Sequence, residues 1–146
     1  MPSAADERLM RRAIALAEAR LGETGDNPAV GCVIARGEAV LAEAATAPGG
    51  RPHAEEQALA IAGAAARGAS AYVSLEPCAE RSSGAPSCSE LLIAAGVARV
   101  VVAAQDPSPK ASGRGEARMR AAGVSVETGV VADETDRLYS DYRRRL

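Results

Sequence analysis

Four side chains stand out for what they could do together: His53, Glu55, Cys78 and Cys88. His53 is the only histidine of the chain, so any step that needs an imidazole must use it. His53-Ala54-Glu55 follows a loop and opens an alanine-rich segment of strong helix propensity, while Pro77-Cys78 follows a β-branched run. Cys88 comes after nine intervening residues, at the start of a further helical segment. One imidazole and two thiolates leave the fourth corner of a tetrahedral zinc site open to water, which is the catalytic rather than the structural arrangement. Zinc lowers the pKa of such a water to about 7, and the Glu55 carboxylate is left over for proton transfer. A helix N-terminus favours thiolate over thiol, which predicts that Cys88 ionises readily. Taken singly, the same residues have plainer readings. His53 alone reads as a packing or capping residue, Cys78 and Cys88 as core thiols or ligands, and Glu55 as a first-turn acid that suits the helix dipole. Cys32, inside an apolar run, reads as core.

These residues need elements to hold them. Ser3-Ala4-Ala5-Asp6 has the spacing of a capping box, and Met10, Ile14, Ala17 and Leu21 recur at helical spacing as far as Gly22. Val30–Ile34 and Ala39–Ala42 read as strands joined by a tight turn at Arg36-Gly37-Glu38. The alanine-rich segment 53–67 predicts one helix closed by Gly68. Strand follows at Tyr72–Leu75, helix at Ser89–Ala95, strand at Arg99–Ala104, helix at Gly115–Ala122, strand at Val124–Glu127, and a last helix from about Asp133. Strands separated by helices predict right-handed crossovers and a sheet covered on both faces, after an antiparallel opening hairpin. The fold class is therefore α/β, a three-layer α/β/α sandwich.

Composition narrows the chemistry. A chain of 146 residues, 47% hydrophobic, fits one domain over 1–146 with a core of its own. A formal charge of -2 with three aromatics excludes the basic, stacking surface that a polynucleotide requires, so no nucleic-acid partner is expected and a small substrate is. No run of eighteen apolar residues and no apolar leader are present, so neither membrane spanning nor export is expected. Three cysteines, an odd number, point to a reducing compartment, the cytoplasm.

The order His-x-Glu, then Pro-Cys, then Cys is that of the zinc deaminase signature H-x-E…P-C-x-x-C, with the gap between cysteines lengthened to nine residues. With that gap, the stretches Leu75-Glu76-Pro77-Cys78, Leu91–Val97, Arg99–Ala103 and Asp106-Pro107…Gly113-Arg114-Gly115 resemble the deaminase domain of riboflavin-biosynthesis proteins of the RibD type. Asn27-Pro28-Ala29-Val30-Gly31-Cys32-Val33 resembles the same family's substrate-side segment. The likeness runs from about Met10 to about Leu138. It implies the cytidine deaminase-like fold with a mixed five-stranded sheet, one Zn2+ held by His53, Cys78 and Cys88, Glu55 as the proton carrier, and a homodimer or higher homo-oligomer. The implied reaction is hydrolytic deamination of 2,5-diamino-6-ribosylamino-4-pyrimidinone 5'-phosphate, an aminopyrimidine, with release of ammonia. Asn27 would grip that substrate, the backbone around Ala54 would read its ring, and Glu80, Asp106 and Ser108 would line the pocket.

The resemblance breaks at Glu80, where the family commonly has histidine, at Ser108, where it commonly has asparagine, and in the strand Val40–Ala44. A carboxylate at Glu80 would repel a phosphorylated substrate unless Arg81 or Arg51 offsets it. Otherwise the pocket takes a different aminated heterocycle, such as a free base, a nucleoside or a specialised metabolite. Lys110, Ser112 and Arg114 beside a Gly-x-Gly are candidate phosphate contacts. The family usually carries a reductase domain after the deaminase, and none is expected within these residues. With so few aromatic rings, the pocket is expected to hold its substrate through zinc, Asn27, backbone groups and the loops around Glu80 and Ser108.

Overall fold

The computed structural model describes residues 2–146. Ser3 closes the predicted capping box: its hydroxyl accepts the Asp6 amide at 3.0 Å, and the Asp6 carboxylate accepts the Ser3 amide at 2.9 Å. Helix α1 (Ala4–Glu18) turns Leu9, Met10, Ala13, Ile14 and Ala17 into the core. The apolar spacing predicts helix as far as Leu21, but beyond Glu18 the amides of Arg20 and Leu21 bond only three residues back. This tighter winding leaves Leu21 in solvent.

Strands β1 (Gly31–Arg36) and β2 (Ala39–Ala45) form the predicted hairpin around Gly37, whose φ of 62° suits a residue without a side chain. β2 continues past the predicted Ala42 to Ala45, which pairs with Gly31. The segment 53–67 is not one helix. Helix α2 (Ala54–Ala62) stops where Gly63 takes φ 56°, and a 3-10 turn occupies Gly63–Ala66. Alanine content sets helix propensity but says nothing of where the backbone must turn to reach the next strand. Next come β3 (Ser70–Leu75), α3 (Cys88–Ala94), β4 (Arg99–Ala104), α4 (Arg114–Ala121), β5 (Ser125–Glu127) and α5 (Asp136–Arg144). Helix α5 begins after the expected Asp133 because Ala132–Thr135 is a 3-10 turn.

The sheet is the expected mixed five-stranded one, in the order β2-β1-β3-β4-β5. β1 is antiparallel to both neighbours, and β3, β4 and β5 run parallel. Side chains alternate across it. Tyr72 and Ser74 face α1 and α5, bonding Asp6 at 2.7 Å and Tyr139 at 2.7 Å. The opposite face carries α2, α3 and α4 side by side. Helix α1 lies so close to β1 that a Cβ on Gly31 would sit 1.8 Å from the Ala13 carbonyl oxygen. Leu75 pairs with Ala104, so the parallel strands β3 and β4 end together and their outgoing loops leave from the same edge. Among the described residues, no helix is long and apolar enough to cross a membrane.

Asp6 also anchors β4. Arg99 grips it with two bonds of 2.8 Å while Tyr72 donates to it, so one carboxylate ties α1 to two strands. Arg99, above all, holds the Asp6 carboxyl well below the usual carboxylate range, against the opposing effect of burial. A depressed folded pKa contributes stability above the unfolded value of about 3.9, and that contribution is lost as pH falls toward the folded value. Asp6→Asn should therefore cost about 2–4 kcal/mol at pH 7, with the gap to wild type shrinking below about pH 4. Urea unfolding at pH 7 and pH 3 checks this, and a gap that does not shrink would contradict the assignment.

Candidate metal centre

Three elements deliver three donors to one point. The extended backbone of His53 leads into α2, Cys78 sits in the loop after β3, and Cys88 is the first residue of α3, behind the N-cap Ser87. The ligand atoms of His53, Cys78 and Cys88 all lie within 4.8 Å of one another. His53 Nδ1 is 3.4 Å from Cys88 Sγ. Zinc bond lengths of 2.0–2.1 Å to nitrogen and about 2.3 Å to sulfur at a tetrahedral angle require about 3.6 Å. The donor set and its spacing therefore fit zinc. Cys32 is fully buried in β1 and lies outside the cluster.

The two thiols share their charge unequally. Cys78 is held down to about 4, first by its hydrogen bond with Cys88 and, against burial, by His53 and the Cys88 backbone amide. That amide, the first of α3, reaches Cys78 Sγ at 3.3 Å. Cys88 is pushed up by the same bond and by burial. The helix N-terminus was expected to help Cys88 ionise; the first amide of α3 instead points at Cys78, while burial and the bond to Cys78 push the Cys88 thiol up.

Glu55 is 4% exposed and lines the pocket that contains His53 and Cys78. Burial, and then the negative charge of Cys78, raise its pKa to about 7. Glu56, one residue on, is occupied differently. Its Oε1 accepts the His53 backbone amide at 2.9 Å and Arg81 at 2.8 Å. Arg81 in turn lies 3.3 Å from Cys88 Sγ and 3.5 Å from His53 Nδ1. A partly buried Glu56–Arg81 pair thereby braces two of the three donors. The His53-x-x-Glu56 spacing resembles a capping box and could have revealed Glu56; Arg81 left no local signal.

The pocket holds about 240 Å³. Asn27, Glu80, Asp106 and Ser108 line it, whereas Ala54 is fully buried in the core and does not. Asn27 Nδ2 donates to the Gly50 carbonyl at 2.9 Å. Glu80 stands half-exposed at the mouth, paired with Arg114 at 3.2 Å. Its partner is thus Arg114; of the two arginines considered for that part, Arg81 is paired with Glu56 and Arg51 lines the same pocket. Of the candidate phosphate contacts, Lys110 lines the pocket and Ser112 and Arg114 do not. Asp106 is buried, and its Oδ1 accepts the Ser108 amide at 2.9 Å and the Tyr142 hydroxyl at 3.0 Å. Burial raises its pKa. Tyr142, on α5, lines the same pocket. This corrects the expectation of a pocket without rings: the tyrosine comes from the last helix, distant in sequence from every motif.

The cytidine and deoxycytidylate deaminase zinc-binding region matches residues 3–104. The RibD protein of Escherichia coli is 44% identical over 97% of this chain and 38% of its own length. The chain thus spans well under half of that relative. A diaminohydroxyphosphoribosylamino-pyrimidine deaminase of Buchnera aphidicola is 37% identical, over 97% of this chain and 95% of its own length. Among solved structures, Acinetobacter baumannii RibD superposes with a TM-score of 0.90 at 41% identity, covering 96% of this chain and 39% of that one. The matched region takes in more than half of the chain and the Buchnera relative is spanned almost end to end, so the chain belongs to the cytidine and deoxycytidylate deaminase zinc-binding family, with RibD proteins among its relatives.

Proposed function

We propose that this chain is a zinc-dependent hydrolytic deaminase of 2,5-diamino-6-ribosylamino-4-pyrimidinone 5'-phosphate, releasing ammonia. The observation that carries this reading is the buried Glu55 carboxylate on the wall of the pocket that contains the three donors. The ring is supported by the Buchnera relative, whose name specifies it and whose length this chain nearly spans. His53, Cys78 and Cys88 would hold the zinc, which when bound would lower the pKa of a water to about 7. Glu55 takes a proton from the attacking water and passes it to a ring nitrogen, then takes the hydroxyl proton of the adduct and passes it to the amine, which leaves as ammonia while the carbonyl forms and Glu55 returns to carboxylate. Its pKa of about 7 suits a group that must both accept and donate near neutrality. Asn27, Asp106 and Ser108 hold the ring and sugar side. The backbone around Ala54, between the pocket-lining His53 and Glu55, reads the ring. Glu80, neutralised by Arg114, stands at the mouth.

Residues 1–146 act in this reading as one deaminase domain in the cytoplasm, where reduced thiols stay available to metal. A homodimer or higher homo-oligomer would cover Ile61, a large apolar side chain 63% exposed on α2. Glu80 and Ser108 favour a second reading, a deaminase of the same fold that acts on a free base, a nucleoside or another small aminated heterocycle. Ammonia release across aminopyrimidine ribotides, nucleosides and free bases separates the two. Turnover is expected on the ribotide, and activity confined to non-ribotides would overturn the first reading.

A further inference from the structure

Glu76, between the end of β3 and Cys78, is 4% exposed, and its carboxylate accepts three backbone amides from another part of the chain. Oε1 accepts Asp106 at 3.3 Å and Gly113 at 3.0 Å, and Oε2 accepts Glu116 at 3.2 Å. The first two amides stand at opposite ends of the loop between β4 and α4. The third belongs to the first turn of α4, whose N-cap Gly113 has no side chain to offer. Independent contacts draw the same two segments together. The Lys110 carbonyl accepts the Ala79 amide at 2.8 Å, and α4 approaches so closely that a Cβ on Gly115 would lie 2.0 Å from the Pro77 carbonyl oxygen.

We infer that Glu76 is the positioning residue of the substrate pocket, fixing the loop that carries Asp106, Ser108 and Lys110 relative to the Cys78 turn. The inference rests on the deaminase reading above and adds a part that the zinc signature does not contain. With both oxygens engaged by backbone donors, Glu76 acts through the loop and not on the reacting atoms. Its charge matters because three N–H groups converge on it. Glutamine keeps the shape but turns an amide donor toward at least one of them.

The test uses the zinc-loaded chain with Glu76→Gln and three readouts: zinc content, backbone hydrogen exchange, and ammonia release from the aminopyrimidine ribotide. The expected result is one zinc per chain, lost protection over residues 105–116 with β4 residues 100–103 still protected, and a KM raised about tenfold or more with a smaller fall in kcat. Unchanged exchange over 105–116, or an unchanged KM, would overturn the inference. If Glu76→Gln fails to fold, Glu76→Asp, too short to span all three amides, must show the same local loss of protection, and its absence overturns the inference equally. If wild type releases no ammonia from the ribotide, the functional reading fails, while hydrogen exchange still decides the role of Glu76.

Discussion

Replacing Glu55 by alanine is expected to lower ammonia release by about 10²–10⁴-fold while the chain keeps about one zinc. The three donors are His53, Cys78 and Cys88, so removing Glu55 takes away no ligand. Burial, the main cause of the raised Glu55 pKa, is a desolvation cost that alanine removes, so the variant should unfold no earlier than wild type. Loss of activity can then be assigned to loss of the proton carrier. Turnover by a coupled ammonia assay, zinc by atomic spectroscopy and a thermal melt check the three parts. Undiminished turnover would remove Glu55 from the mechanism.

Cys88→Ser should empty the site. Serine is nearly isosteric and enters a fully buried position at the start of α3, so the fold should persist. Its hydroxyl stays protonated at neutral pH and is a poor zinc ligand, leaving one imidazole and one thiolate. Losing an outer-shell partner costs about 10–100-fold in metal affinity, and losing a direct ligand should cost more than that. Turnover should fall with zinc occupancy. Competition with a chromophoric chelator measures the affinity, and full affinity in the variant would mean that Cys88 is not the third ligand. The same experiment applies to Cys78→Ser. Cys78 is also one of the three donors, so its loss should weaken zinc binding as well, and because both thiols bind metal as thiolates, affinity in wild type should rise with pH.

Much of this centre was legible in the chain because ligand chemistry is a matter of residue type and order. The only imidazole, a carboxylate two positions on, and two thiols at the ends of elements restrict the chemistry to little besides a metal with an open position. The capping box at Ser3, the opening hairpin and the run Arg99–Ala104 were legible for a similar reason, since capping, turns and apolar periodicity are local. Element ends were less so. The alanine-rich segment breaks at Gly63, and α1 stops short of Leu21, where no tertiary partner waits for the apolar side chain.

Residue types and spacing by themselves determined the α/β class, the zinc donors and the free carboxylate, because each depends on side-chain chemistry or on short-range pattern. Tertiary structure alone decided that the Cys88 amide reaches Cys78, that Arg81 and Glu56 brace the donors, that Arg114 pairs with Glu80, that Tyr142 lines the pocket, and that Glu76 ties the two site loops together. Each of these depends on which segments the parallel pairing of β3 with β4 and the return of α5 bring into contact. Such contacts join residues tens of positions apart, and no periodicity or propensity records them.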